Sequence, residues 1–144
     1  MITIDKNRLI EIFVSLVKID ALSQNEKPVA DFVRSFLAGK SVTISEDNSR
    51  HATGSNTGNL IIKKGSGGKM MLTSHMDTAR TTANIKVLID EKTGKISSDG
   101  KTILGADNRQ GMAILLYLLE VAEGNPEIGD FTVVFTTCEE TTLG

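Results

Sequence analysis

The sequence predicts an α/β domain built in layers. Two helical patterns open the chain. A run of strand-like segments fills the middle, and an apolar helix leading into a β-branched strand lies near the end. Helices and strands that interleave in this way pack as helices on a sheet. The 144 residues suffice for one domain with its own core, and neither an internal repeat nor a linker divides them.

Taken in order, residues 5–19 read as an amphipathic helix. Leu9, Ile12, Phe13, Leu16 and Val17 share one face at i, i+3, i+4, i+7 and i+8 spacing. Residues 26–38 repeat the pattern with Val29, Phe32, Val33, Phe36 and Leu37. Ser23 and Glu26 have the spacing of a capping box. Pro28 argues instead for Asn25 as the cap, because a proline in the first turn has no helical N–H bond to lose. Gly39 ends that helix. "SVTISED" (41–47) alternates as a strand, and the polar 47–58 stretch reads as a loop. "NLIIKK" (59–64) and "KMMLTSH" (69–75) are strands on either side of the turn "GSGG", and 85–100 is a hairpin around "KTGK". Residues 109–124 are apolar almost all round and predict a largely buried helix, closed by Pro126 and the nearby glycines. "DFTVVFTTC" (130–138) predicts a buried strand. Met70, Met71, Met112 and Cys138 read as core.

Composition narrows the function. Hydrophobic residues make up 40% and charged residues 24%, with a net charge of −2. That balance gives no reason to expect nucleic acid or an anionic membrane as a partner. One cysteine cannot form an internal disulfide, which fits a reducing cytoplasm. No apolar run approaches the ~20 residues that span a bilayer, and the N-terminus lacks the pattern of a secretory signal. H-E-x-x-H is absent, and "GSGG" leads into a strand rather than a helix, so it is not a phosphate loop.

Three stretches carry chemistry. In "TSHMDT" (73–78), His75 and Asp77 follow an apolar strand. An imidazole there can bind a metal while the carboxylate two residues on holds its other nitrogen; alone, the pair is also an ordinary strand-to-loop turn. In "ILGADNRQG" (103–111), Asp107 is placed either as a metal-binding carboxylate or as a helix N-cap. In "FTTCEETTLG" (135–144), Glu139 and Glu140 are adjacent at a strand end. One can bind a cation and the other the water that the cation polarises; the alternative is a solvated strand terminus. Each stretch lies at a strand's C-terminal end or at a helix start beside one, where α/β proteins place ligands. Together they supply the N and O donors that zinc and similar divalent ions accept.

In this order and with these neighbours, "SHMDT", "LGADNRQGMA" and "FTTCEETTLG" resemble the dimetal exopeptidases of the peptidase T type. That family includes aminotripeptidases and related amino-acid amidohydrolases. "LVKIDALSQNEKPVADFV" and "TGNLI" extend the likeness over essentially all 144 residues. The resemblance implies a three-layer α/β/α sandwich around a mostly parallel mixed sheet, incomplete at the C-terminus. It implies that His75 binds one metal and that Asp77 orients His75. Asp107 would bridge both metals, with a cis peptide bond after it, and Glu140 would bind the other metal. Glu139 would be the general base that takes a proton from the bridging water. The ions would be two divalent metals, zinc first, with cobalt or manganese as alternatives. Asn108 stands where the family has a second aspartate; it need not be a ligand, so the exchange is expected to be tolerated.

The family's metal site also takes an acidic residue further downstream and a histidine near the C-terminus. After Glu140 this chain holds only Thr141, Thr142, Leu143 and Gly144, and its other histidine, His51, falls in a polar loop. Residues 1–144 are therefore expected to be the N-terminal portion of a metallopeptidase catalytic domain. The smaller dimerisation domain and the C-terminal part of the catalytic domain would be absent, and the piece would be inactive by itself. The complete protein is expected to be a cytoplasmic exopeptidase of short peptides, able to form a homodimer. An amidohydrolase of N-acyl amino acids with the same metal site is one alternative, and a non-catalytic binding module is another.

Overall fold

A computed structural model describes residues 3–143; Met1, Ile2 and Gly144 of the expected 1–144 unit lie outside it. Helix α1 (Lys6–Val17) opens with Asp5, whose side chain accepts the Arg8 N–H at 3.1 Å, and it buries Ile12, Leu16 and Val17. Helix α2 (Lys27–Phe36) buries Val29, Ala30 and Val33, with a proline in its first turn as expected. Its cap differs from expectation. Glu26, rather than Ser23 or Asn25, occupies the N-cap position and makes no side-chain cap bond. The Ser23 and Glu26 side chains are engaged elsewhere in the fold, by tertiary partners that a local capping pattern cannot foresee.

Strand β1 (Val42–Glu46) follows, and the polar loop contains one helical turn, α3 (Arg50–Thr53), ended by Gly54 at φ +74°. Strands β2 (Leu60–Lys64) and β3 (Met71–His75) flank the glycine turn. β4 (Val87–Asp90) and β5 (Lys95–Ser98) form the expected hairpin as a separate two-stranded sheet. Helix α4 (Ala106–Glu123) leads to β6 (Phe131–Thr136) and a 3₁₀ turn at Glu139–Thr141. None of the described helices is long and apolar enough to cross a membrane.

The α/β class and the mixed sheet are as the sequence predicts. The main sheet runs β1-β2-β6-β3. The expectation of mostly parallel pairing is corrected: among the described strands of this sheet, β1–β2 and β2–β6 are antiparallel, and only β3–β6 is parallel. The connections explain this. The loop between β1 and β2 lets the chain fold straight back, whereas a parallel pair needs a crossover, which α4 supplies between β3 and β6.

Side-chain alternation gives the sheet one apolar face. Leu60, Ile62, Val133 and Phe135 join Leu16, Val33, Met112, Leu116 and Leu119 in one core. Full burial of each such side chain stabilises by about 1.5–3 kcal/mol. α1, α2 and α4 all contribute to this core, so they cover the same face. The opposite face carries exposed Lys63, Met71 and Thr73 and half-buried Ile61 and Val134. Among the described residues, two of the three expected layers are therefore present. Met70 and Met71, expected in the core, are 60% and 64% exposed, because Met70 precedes β3 and Met71 points to the uncovered face. α4 is less buried all round than expected, with Ile114 exposed.

Parallel pairing sets His75 opposite Thr136, at the C-terminal ends of adjacent strands. The residues just beyond both strands therefore emerge side by side.

Candidate metal centre

His75 ends β3 and is 6% exposed. Its Nδ1 lies 3.1 Å from the Asp77 backbone oxygen and 3.3 Å from Asp77 Oδ1. Its Nε2 faces the other way, 3.0 Å from Asp107 Oδ1 and 3.7 Å from Glu139 Oε2. Ligand atoms of His75, Glu139 and Glu140 lie within 4.8 Å of one another. The five expected site residues thus gather at one end of the sheet. Burial pushes the His75 pKa down, but contacts with Asp77 and Asp107 and the charges of Asp77 and Glu139 outweigh it, so the imidazole is raised to about 9.

Asp77 is fully buried and touches three parts of the centre. Besides His75, it accepts the Ser23 hydroxyl on Oδ2 at 2.6 Å. Its two oxygens also accept the backbone N–H groups of Glu139 (3.2 Å) and Glu140 (3.1 Å). Burial favours its neutral form, but hydrogen bonds from His75, Ser23 and the backbone prevail and lower its pKa to about 2.

Asp107 sits where the chain bends into α4. Gly105, at φ +71°, holds the N-cap position. The peptide bond between Asp107 and Asn108 is cis, and both residues have non-helical backbone angles. The cap bond is made by Asn108, whose Oδ1 accepts the Gly111 N–H at 3.2 Å, and its backbone oxygen accepts the Ser74 hydroxyl at 3.1 Å. The capping alternative for Asp107 therefore falls to Asn108. The Asp107 side chain is 83% exposed and turned to His75.

Two contributors escape the sequence reading. Ser23 reads from sequence only as a helix cap, yet it bonds Asp77. Arg109 is fully buried, and its guanidinium donates to the carbonyls of Met76, between His75 and Asp77, and of Ile19. Burial lowers its pKa to about 10 despite the charges of Asp77, Asp20 and Glu26. A polar residue on a helical pattern reads as solvent-facing, so no sequence signal marks it. His51 is exposed on α3, as its polar loop predicts.

The donor chemistry fits a divalent cation. One imidazole has its far nitrogen held by Asp77, so its near nitrogen faces the Asp107 and Glu139 carboxylates, and Glu140 brings a third ligand atom within 4.8 Å of the His75 and Glu139 ones. Among the described residues, no lysine or arginine pairs with Asp107, Glu139 or Glu140 to offset them. Imidazole plus carboxylates is a donor set that suits zinc and its neighbours.

The mixed α/β fold matches that of solved peptidases. Known proteins narrow this class further, although no family model matches the chain. The uncharacterized protein YqjE of Bacillus subtilis is 33% identical over 144 residues, covering 97% of this chain and 38% of YqjE. Peptidase T of Aliivibrio salmonicida is 36% identical over 98 residues, which is 65% of this chain and 24% of that protein. The crystal structure of a tripeptidase from Staphylococcus aureus superposes with a TM-score of 0.86 at 33% identity, over 96% of this chain and 38% of the tripeptidase. Over most of its length the chain resembles part of a peptidase T-like domain. It spans well under half the length of the relatives it matches.

Proposed function

We propose that the complete protein is a metal-dependent exopeptidase that removes N-terminal residues from short peptides. The observation that carries this reading is the convergence of the His75 imidazole with the Asp107, Glu139 and Glu140 carboxylates at the strand ends. The likeness to a tripeptidase and to peptidase T supports it.

His75, Asp107 and Glu140 would hold two divalent ions, zinc first, with cobalt or manganese as alternatives. Bound there, the ions would acidify a water and polarise the scissile carbonyl. The rest is the work of side chains. Asp77 holds the His75 ring by Nδ1, which leaves Nε2 free to face a bound ion. Glu139 accepts the proton of the attacking water and returns it to the leaving amine. In this reading, residues 1–144 are the N-terminal portion of the catalytic domain. The remaining ligands and a smaller domain that can dimerise come from the rest of the protein, and 1–144 alone does not turn over. A cytoplasmic setting agrees with the single cysteine.

The test is hydrolysis by the complete zinc-loaded protein, with a tripeptide and an N-acyl amino acid offered separately. Release of the tripeptide's N-terminal residue is expected. Cleavage of the N-acyl amino acid alone would transfer the protein to the amidohydrolases. Cleavage of neither would leave a binding role.

A further inference from the structure

The β6 ladder ends at Thr136, and the next four backbone N–H groups each find a side-chain acceptor from elsewhere in the fold. Thr137 donates to Asn59 Oδ1 at 2.9 Å and Cys138 to Glu26 Oε1 at 2.9 Å. Glu139 and Glu140 donate to the two oxygens of Asp77. Three of these four bonds therefore end on just two buried carboxylates, Glu26 and Asp77, both 0% exposed.

Glu26 stands outside the metal centre. Its Oε1 also accepts the Gln24 N–H at 3.0 Å and the Cys138 thiol at 3.4 Å, and its Oε2 accepts the Ser55 hydroxyl at 2.5 Å. Burying a carboxylate is costly, and among the described residues no lysine or arginine forms an ion pair with it. A core position alone would be filled as well by an apolar residue. Its requirement is explained by the backbone it holds: Cys138 has φ +59°, a left-handed conformation that non-glycine residues seldom adopt. That residue sets the direction in which Glu139 and Glu140 leave the sheet.

We propose that Glu26 is a positioning residue for the glutamate turn. Its carboxylate fixes the left-handed backbone of Cys138 and thereby aims Glu139 and Glu140 at the space in front of His75. The consequence for turnover rests on the proposed roles of the two glutamates in peptide hydrolysis.

Two variants of the complete protein test it. Glu26→Asp keeps the carboxylate but withdraws it by one methylene. Glu26→Gln keeps the length and one acceptor oxygen. Glu26→Asp is expected to lower kcat by about 10–100-fold, the scale of an ångström-sized misplacement, with KM and zinc content unchanged. Glu26→Gln is expected to recover kcat to within about threefold of wild type, because the Ser55 hydroxyl can rotate to accept from the new amide. Amide exchange, read without metal, should be slow at Cys138, Glu139 and Glu140 in wild type and faster in Glu26→Asp. A merely structural role would lower Tm while leaving kcat per folded molecule and local exchange unchanged, and that result overturns the proposal. Should Glu26→Asp fail to fold, wild-type exchange decides at Cys138, whose N–H Glu26 accepts: a protected Cys138 amide supports the proposal, and exchange there at the rate of an open turn overturns it. A Glu139→Gln control separates the two readings. If that variant keeps full turnover, the general-base assignment is what fails, and the exchange result still judges Glu26.

Discussion

Asp77 shows how much one side chain can organise. Its carboxylate orients His75, receives Ser23, and holds the N–H groups of both glutamates. An amide in its place offers one acceptor and two donors, so it cannot accept all of these bonds. Asp77→Asn is expected to weaken zinc affinity about 10–100-fold, as loss of a ligand-orienting carboxylate usually does. Competition with a chromophoric chelator measures this, and wild-type affinity would remove Asp77 from the role. Glu139 calls for the opposite outcome. Glu139→Gln should keep its zinc and lose about 10²–10⁴-fold in kcat, because the proton acceptor goes while the ligands stay. Near-normal turnover with full metal would reassign the base. At this scale the residue types are legible in the sequence: His75, Asp77, Asp107, Glu139 and Glu140 all stand out as candidates, and they do converge. Arg109 and Glu26 do not, because charged residues read as solvent-facing until a neighbour from a distant segment buries them.

At the scale of elements, the join between the Asp107 bend and α4 is the tightest feature near the centre. A Cβ built on Gly111 would collide with Asn108 Oδ1 and Ser74 Oγ, the atoms that cap the helix and tie it to β3. Gly111→Ala is therefore expected to destabilise by about 1–3 kcal/mol, although alanine is the better helix former. Thermal unfolding would show it, and a rise in Tm would mean that the bend yields at little cost. The elements themselves are readable from periodicity. Each expected helix and strand forms, with ends shifted by a few residues. The exceptions are the one-turn helix α3 inside an expected loop and the cap of α2. At the α2 cap, a side-chain bond to another segment outweighs local preference: the Ser55 hydroxyl draws Glu26 inward.

At the scale of the whole molecule, polar contacts tie the end of β1 to the loop before β2 and to α2. Glu46 at the end of β1 accepts the Gly58 N–H at 2.7 Å and pairs with Arg34 of α2 at 2.6 Å. The bond from Gly58, with smaller help from Thr57 and Arg34, lowers its pKa against a modest burial effect. A carboxylate whose folded pKa is depressed stabilises above its unfolded value near 4.5, and that contribution is lost as pH falls through the folded value. Glu46→Gln should therefore be less stable than wild type at pH 7, by about 1 kcal/mol or less because the pair is partly solvated. The gap should close as the pH falls below 4.5 and through the depressed folded value. A gap that persists unchanged at a pH acid enough to protonate the folded carboxyl would show that ionisation of Glu46 contributes nothing.

Local chemistry, which the sequence carries by itself, determined the helices and strands, the layered α/β class and the residue types able to hold a cation. Spacing of apolar residues sets which face is buried, and motif order sets which donors lie near strand ends. The tertiary structure alone decided three things. It made two of the three pairings in the main sheet antiparallel, because strand direction depends on the connections rather than on the strands. It put α1, α2 and α4 on one face of the sheet. And it buried Glu26 and Arg109 beneath the centre, because their partners come from segments far away in sequence.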